Sequence, residues 1–217
     1  MRTLIALLGL WTVLLPLRVA GQQADAGAQS QTASRPIPTP SVQDRIIAEA
    51  ERYLDQPYVF GGRGGRPGCV GKKACMEGID CLSLIFFAYE KVLGKPWTRY
   101  AVKPSITVQR KELGEPVKGL AGVLAADLDR RLLRKGDVLL FLLDGYNLQA
   151  DQPLLTRGDT KYGVWHTALV HSAEGGKIKV IHAKPGDKVV VEPLDAIMFD
   201  GLFALRLPGE KVSAKGR

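Results

Sequence analysis

The first predicted element follows an apolar pattern with helical spacing. Beyond Ser41, large apolar residues recur every three or four positions as far as Leu54, and Asp55 then interrupts the pattern. This spacing predicts an amphipathic helix. Ser41 and Asp44, three positions apart, resemble a capping box at its amino end.

A second helix is predicted where the apolar residues become continuous, over residues 82–89. Asp80 stands at the N-cap position, Cys81 at the first helical position, and Gly94 marks the end of the helix. A helix that is apolar on all sides is expected to be buried. A weaker pattern predicts one more helix within residues 120–133.

From Gly136 onward the apolar pattern changes from helical to extended. Apolar runs there predict five strands, and Glu174-Gly175-Gly176 predicts a hairpin turn between the second and the third. The predicted strands cover residues 138–142, 164–171, 177–183, 189–191 and 202–207. This order indicates an α+β fold, with N-terminal helices packed on a central antiparallel sheet of about five to six strands.

Composition divides the chain into segments. Its 217 residues suffice for one domain with a full core. Arg2, an apolar run over residues 4–17 and small residues near Gly21 predict a secretory signal peptide, and therefore export to the periplasm or the exterior. No later segment is long enough to span a membrane, so no stable insertion is expected after cleavage. The segments are a signal peptide (1–21), a disordered linker (22–40), one domain (41–208) and a flexible tail (209–217).

The chain is basic. Thirty Lys and Arg against 22 Asp and Glu give a net charge of +8. A basic surface favours anionic partners such as anionic envelope polymers. A solvated basic face without a partner remains an equal alternative, because the positive residues are scattered.

Export changes the interpretation of the three cysteines. In an oxidising compartment they allow one disulfide and leave one thiol. Cys69 and Cys75 can close a short loop rich in Gly, Pro and Lys, which leaves Cys81 free. A bridge from Cys81 to either of them, or an inert buried Cys81, remains an alternative. The three are poor zinc ligands because five residues separate neighbours and no histidine is near, so no metal is expected.

Cys81 has the position of an activated nucleophile, because the start of a helix favours a thiolate. Strand alternation places His166 on one face and His171 on the other, and the hairpin brings His182 beside His166 on the same face. A cysteine, a histidine base and a second histidine that orients the first form the arrangement of a cysteine peptidase. The Cys81 backbone N–H and Tyr58 are candidate oxyanion donors.

Five sequence stretches, in the same order along the chain, resemble the motifs of one protein family. The stretches "YLDQPYVFGG", "GIDCLSL", "LLRKGDVLLF", "WHTALV" and "VIHA" resemble those of the NlpC-type, papain-like cell-wall cysteine peptidases over residues 41–207. The resemblance implies a Cys81, His166 and His182 triad with Tyr58 near the nucleophile. It also implies an enzyme without metal or cofactor that cleaves peptidoglycan stem peptides, often between γ-D-glutamate and diaminopimelate. A monomer with no nucleic-acid partner is expected.

The sequence also departs from that family. Leu82 and Ser83 stand where serine and glycine are usual. The resemblance implies that the family's serine, at the position of Leu82, and the preceding aspartate, Asp80, lie near the substrate's amine end, so the usual bond preference is not assured. Asp80 and Ser83 are the candidate substrate-binding residues. Two inserted segments, 63–77 and 144–163, could narrow or cover the cleft. The alternative functions are an N-acetylmuramoyl-L-alanine amidase, another thiol hydrolase on the same scaffold, and an inactive wall-binding module.

Overall fold

The structure is a computed structural model that describes residues 39–63 and 78–208. The predicted signal peptide, the linker up to residue 38 and the tail lie outside these residues. So do Cys69 and Cys75, whose predicted disulfide therefore stays a prediction. No helix within the described ranges is long and apolar enough to cross a membrane.

The described part of the chain forms an α+β fold with one seven-stranded antiparallel sheet, in the order β1-β7-β2-β4-β5-β6, with β3 paired to β4. The strands are β1 (Glu115–Leu124), β2 (Val138–Asp144), β3 (Leu155–Arg157), β4 (Thr160–Glu174), β5 (Lys177–Ala183), β6 (Val189–Pro193) and β7 (Gly201–Arg206). The helices are α1 (Val42–Glu51), α2 (Cys81–Leu93) and α3 (Pro104–Gln109). The predicted fold class is confirmed, with two strands, β1 and β3, beyond the five recognised in the sequence.

The predicted helix within residues 120–133 is wrong. Strand β1 runs to Leu124, and two short 3₁₀ turns follow it. Gly119 and Gly122 adopt φ values of 82° and 80°, and the pairing of β1 with β7 shifts register between Pro116 and Val123. Bulges of this kind break the two-residue alternation that identifies a strand, so the apolar spacing imitated a helix.

The two helix starts are formed as predicted. The Ser41 side chain and the Asp44 carboxylate complete a capping box at α1. At α2, the Asp80 carboxylate accepts the Ser83 backbone N–H, and Gly94 ends the helix in the left-handed conformation. These caps satisfy backbone groups that a helix terminus would otherwise leave unpaired.

The sheet separates two apolar clusters. Helices α1 and α2 pack on the face that contains Leu169 and Ile181. Phe141, Ala168 and Val180 belong to the cluster on the opposite face. Consecutive residues of β4 and β5 therefore point to different clusters, and this alternation fixes where their polar side chains go.

Candidate active site

Cys81 begins α2 and carries a free thiol. Its residue is partly exposed, and the Leu82 backbone N–H and the Thr167 hydroxyl and backbone lie close enough to act on the sulfur. Thr167 comes from β4, on which α2 packs. The start of α2 and the neighbouring strand β4 thus both position the Cys81 thiol.

The pKa of the Cys81 thiol is shifted upwards, against the shift expected from the helix start. Burial raises the pKa of the thiol to about 11, and the negative charge of Asp80 adds to the rise. Contacts with Thr167 and Leu82 lower it, but by less. The partial exposure of Cys81 weakens this desolvation, yet the direction of the pKa shift stays opposite to the one predicted from the helix start alone.

His166 and His182 are neighbours, as strand alternation predicts. Nε2 of His166 lies 2.6 Å from Nδ1 of His182, and the two rings meet edge to face at 4.8 Å. Both side chains are almost fully buried, and His166 also stacks on Phe141. A buried ring held from two sides has one orientation, as a catalytic base requires.

Glu192 extends this pair and is missed by the sequence reasoning. Nε2 of His182 lies 2.9 Å from Oε1 of Glu192, and Nζ of Lys184 donates to Oε2 at 2.7 Å. Burial opposes ionisation of Glu192, but hydrogen bonds from Lys184 and His182 together hold its pKa below the usual range. The signal in the sequence is weak, because only the register of β6 on β5 places Glu192 near His182.

The hydrogen bonds fix the protonation of both rings. The ionised Glu192 can only accept, so His182 donates from Nε2 and accepts at Nδ1. His166 must then donate from Nε2, which leaves Nδ1 as its lone pair. Burial, and then the neighbouring His182, lower the pKa of His166 to about 3, so the ring is neutral at physiological pH.

Nδ1 of His166 is buried and has no hydrogen-bond partner among the described residues. Cys81, His166 and Thr167 line one cavity of about 490 Å³, which Tyr58 also borders. An unsatisfied buried acceptor is costly and therefore rare in folded proteins. His166 and Cys81 line the same cavity, and Nδ1 of His166 forms no hydrogen bond to the thiol or to any other described group.

Tyr58 is tied to the start of α2 through the backbone. Val59 donates to the Ile79 carbonyl at 3.2 Å, and Ile79 donates to the Pro57 carbonyl at 3.0 Å. Burial, followed by the neighbouring Cys81 and Asp80, raises the pKa of Tyr58 far above its usual value. The phenol therefore keeps its proton and can donate it to an oxygen in the cavity.

Comparisons with known proteins place the fold. No protein-family model and no curated protein matches the chain. A solved N-acetylmuramoyl-L-alanine amidase from Bacteroides uniformis aligns with a TM-score of 0.50 at 14% identity, over 77% of this chain and 99% of the amidase. At 14% identity, this structural similarity establishes the fold and not the activity. The predicted NlpC-type fold is confirmed.

Two further solved structures carry the NlpC/p60 name. The NlpC/p60 domain of the peptidoglycan hydrolase SagA is 25% identical with a TM-score of 0.40, over 76% of this chain and 98% of that domain. RipD from Mycobacterium tuberculosis, described as a non-catalytic NlpC/p60 protein adapted to peptidoglycan binding, is 21% identical with a TM-score of 0.43. The match covers 78% of this chain and all of RipD, 100%.

Asp80 and Ser83 are both engaged by Arg63. Nη1 of Arg63 donates to Oδ2 of Asp80 at 2.9 Å and also contacts Oγ of Ser83. Asp80 borders the cavity, whereas Ser83 is completely buried and lies behind it. Of the two residues expected to bind substrate, only Asp80 is therefore near enough to reach one directly.

The segment after β2 borders the cavity, as the predicted insertion suggested. Tyr146 and Asn147 line the cavity beside the apolar side chains of Phe60 and Val102. Phe60 is 84% exposed and Val102 62% exposed, although both are apolar. The cavity mouth thus offers apolar surface to a ligand.

His171 lies apart from the site. Its Nε2 lies 2.7 Å from Oε1 of Glu51 at the end of α1, and it does not line the cavity. This fits the opposite strand face predicted for it. No group of three His, Cys, Asp or Glu side chains within residues 39–63 and 78–208 is arranged to hold a metal ion.

Proposed function

We propose that the chain is an exported cysteine hydrolase that cleaves an amide bond in peptidoglycan stem peptides. The observation that carries the proposal is that His166, whose buried Nδ1 has no hydrogen-bond partner among the described residues, lines the same cavity as Cys81. The bond expected from the sequence resemblance is γ-D-glutamyl-diaminopimelate.

The first half of the reaction forms a thioester. Nδ1 of His166 takes the proton from Sγ of Cys81, and the sulfur electron pair attacks the carbonyl carbon. The oxyanion receives hydrogen bonds from the backbone N–H of Cys81 and the Tyr58 hydroxyl. His166 then gives its proton to the amide nitrogen as the C–N bond breaks, and the amine leaves.

The second half regenerates the thiol. His166 takes a proton from water, and the resulting hydroxide attacks the thioester carbonyl. The C–S bond breaks, a carboxylic acid leaves, and the proton returns from His166 to the sulfur. His182 and Glu192 keep the ring of His166 in the tautomer that both halves need.

The pKa shifts favour a neutral Cys81 thiol and a neutral His166 ring before substrate binds, so we infer that the cavity contributes to activating the thiol. A substrate that enters excludes water, and the developing thiolate and imidazolium then stabilise each other at short range. Proton transfer is therefore coupled to substrate binding instead of preceding it.

A Cys81→Ala variant tests the proposal. Release of soluble muropeptides from purified sacculi should fall by about 10⁴-fold or more, while the thermal unfolding curve stays close to that of the unmodified chain. The matched control is His171→Gln, which changes a histidine outside the cavity and should retain activity. Undiminished release by Cys81→Ala would refute a cysteine mechanism.

A second candidate is cleavage of the bond between muramic acid and L-alanine. It is favoured by the shared fold with the Bacteroides uniformis amidase. Mass spectra of the products separate the two, because an endopeptidase leaves part of the stem peptide on the sugar and an amidase leaves none.

A further inference from the structure

The cavity contains one pair of opposite charges. Among the described residues that line it, Arg63 and Asp80 are the ones with a formal charge. Nη1 of Arg63 lies 2.9 Å from Oδ2 of Asp80, and their side chains are 11% and 12% exposed. The guanidinium also stands over the Trp97 ring, 5.5 Å from its centroid, which holds it in place.

Each oxygen of the Asp80 carboxylate already accepts one described hydrogen bond. Oδ1 accepts the Ser83 backbone N–H at 2.6 Å, and Oδ2 accepts Nη1 of Arg63. An ammonium group that approached this carboxylate would meet the guanidinium charge beside it. At a short distance and low exposure, this repulsion cancels the attraction of Asp80.

Arg63 and Trp165 offer hydrogen-bond donors at the cavity. Nε1 of Trp165 is buried and unpartnered, and Trp165 lines the cavity. The guanidinium of Arg63 has five N–H groups, and its described contacts with Asp80 and Ser83 use a single nitrogen. The part of the cavity beside Arg63 therefore suits hydrogen-bond acceptors, such as carbonyl groups, and does not suit a cation.

We propose that Arg63 makes this site selective for stem peptides whose amino end is amide-linked, and that it excludes short peptides with a free ammonium. The inference rests on the proposed function, which supplies the peptide substrate. The cavity volume of about 490 Å³ is typical of a small-ligand pocket, so the amino end of a short peptide falls inside it with the scissile bond. An amide carbonyl there accepts from the guanidinium, whereas an ammonium is repelled by it.

Two peptides test this selectivity, one with a free amino end and its N-acetylated twin. The unmodified chain should cleave the acetylated peptide with a kcat/KM at least about tenfold higher, which corresponds to about 1.4 kcal/mol. Arg63→Gln exposes the Asp80 carboxylate and should move this ratio at least about tenfold toward the free amine. Arg63→Lys keeps the charge and should keep the preference, and Arg52→Gln, at an arginine outside the cavity, should change nothing.

Binding measured in a Cys81→Ala background separates this inference from the proposed function. Calorimetry with the same two peptides needs no hydrolysis and should show the same order of affinity. If the unmodified chain cleaves neither peptide while the Cys81→Ala variant binds the acetylated peptide more tightly, the hydrolase function is refuted and the selectivity is supported. Equal affinity, tighter binding of the free amine, no binding of either peptide, or an unchanged ratio in a folded Arg63→Gln would overturn the inference. If Arg63→Gln fails to fold, the ratio of kcat/KM for the two peptides on the unmodified chain still tests the selectivity.

Discussion

Two buried polar groups on the same sheet differ in how completely their atoms are paired. Asp137, only 1% exposed, accepts two hydrogen bonds of 2.6 Å from the Arg206 guanidinium and one of 2.8 Å from the Arg134 backbone N–H. Both carboxylate oxygens are satisfied. Asp137 does not line the cavity of the candidate site. This group joins the start of β2 to β7, and both of its carboxylate oxygens are already paired.

The group formed by His166, His182 and Glu192 is paired in series and incomplete at one end. Each link is a hydrogen bond of 2.6 or 2.9 Å, yet Nδ1 of His166 has no partner among the described residues. An unsatisfied buried group costs folding free energy, and this one belongs to a residue that lines the same cavity as Cys81, which supports a role in chemistry. Both groups are buried, and they differ in that Nδ1 of His166 is left without a hydrogen-bond partner whereas both Asp137 oxygens have one.

The largest effect on stability is expected at the completed group. Arg206→Met should lower the free energy of unfolding by about 3 kcal/mol, because it leaves the Asp137 carboxylate buried without its counter-charge. Activity per folded molecule should stay unchanged. Urea unfolding measures the loss, and Arg52→Met, at an exposed arginine, is the control with little effect. Unaltered stability in Arg206→Met would show that the two groups do not differ as described.

The same comparison shows what the sequence could predict. The α1 and α2 caps, the start of α2 at Cys81 and the meeting of His166 with His182 follow from local spacing and strand alternation. Each of these needs only the chain's own periodicity and one hairpin, so the prediction was within reach.

Other parts of the site depend on contacts that spacing does not encode. Glu192 reaches His182 through the β5–β6 register, and Arg63 reaches Asp80 through a bridge between its own backbone and Ile79. The protonation of Cys81 depends on burial by the assembled fold, which outweighs the helix start. Strand β1 was missed because its glycines and bulges break the alternation.

A smaller effect, on catalysis alone, is expected at the far end of the incomplete group. Glu192→Gln should lower kcat about tenfold with little change in KM, since the amide can flip and donate to His182, which reverses the tautomers along the chain. Steady-state kinetics on a defined peptide measure the division between kcat and KM. A loss confined to KM, or a large fall in the unfolding temperature with normal kcat, would assign Glu192 to structure instead of positioning.

The smallest effect is expected at Thr167, whose hydroxyl lowers the pKa of the neighbouring Cys81 thiol. In the unmodified chain, the rate of Cys81 alkylation by iodoacetamide should keep rising through pH 8–10, because a thiol with a pKa of about 11 is mostly protonated below that range. Thr167→Val removes the hydroxyl at nearly constant volume, so the pKa should rise and the rate at pH 8 should fall by about threefold, equivalent to about half a pKa unit.

Thr107→Val is the matched control for Thr167→Val, because Thr107 is also buried but its hydroxyl donates to backbone carbonyls of its own helix start. It should leave the alkylation profile unchanged. A plateau of the unmodified rate between pH 5 and 7 would mean a preformed thiolate, as the helix start alone predicts. Identical profiles for Thr167→Val and the unmodified chain would mean that the hydroxyl does not act on the sulfur. The expected profile instead places proton transfer after substrate entry, because an incomplete polar group holds its base neutral until the cavity is filled.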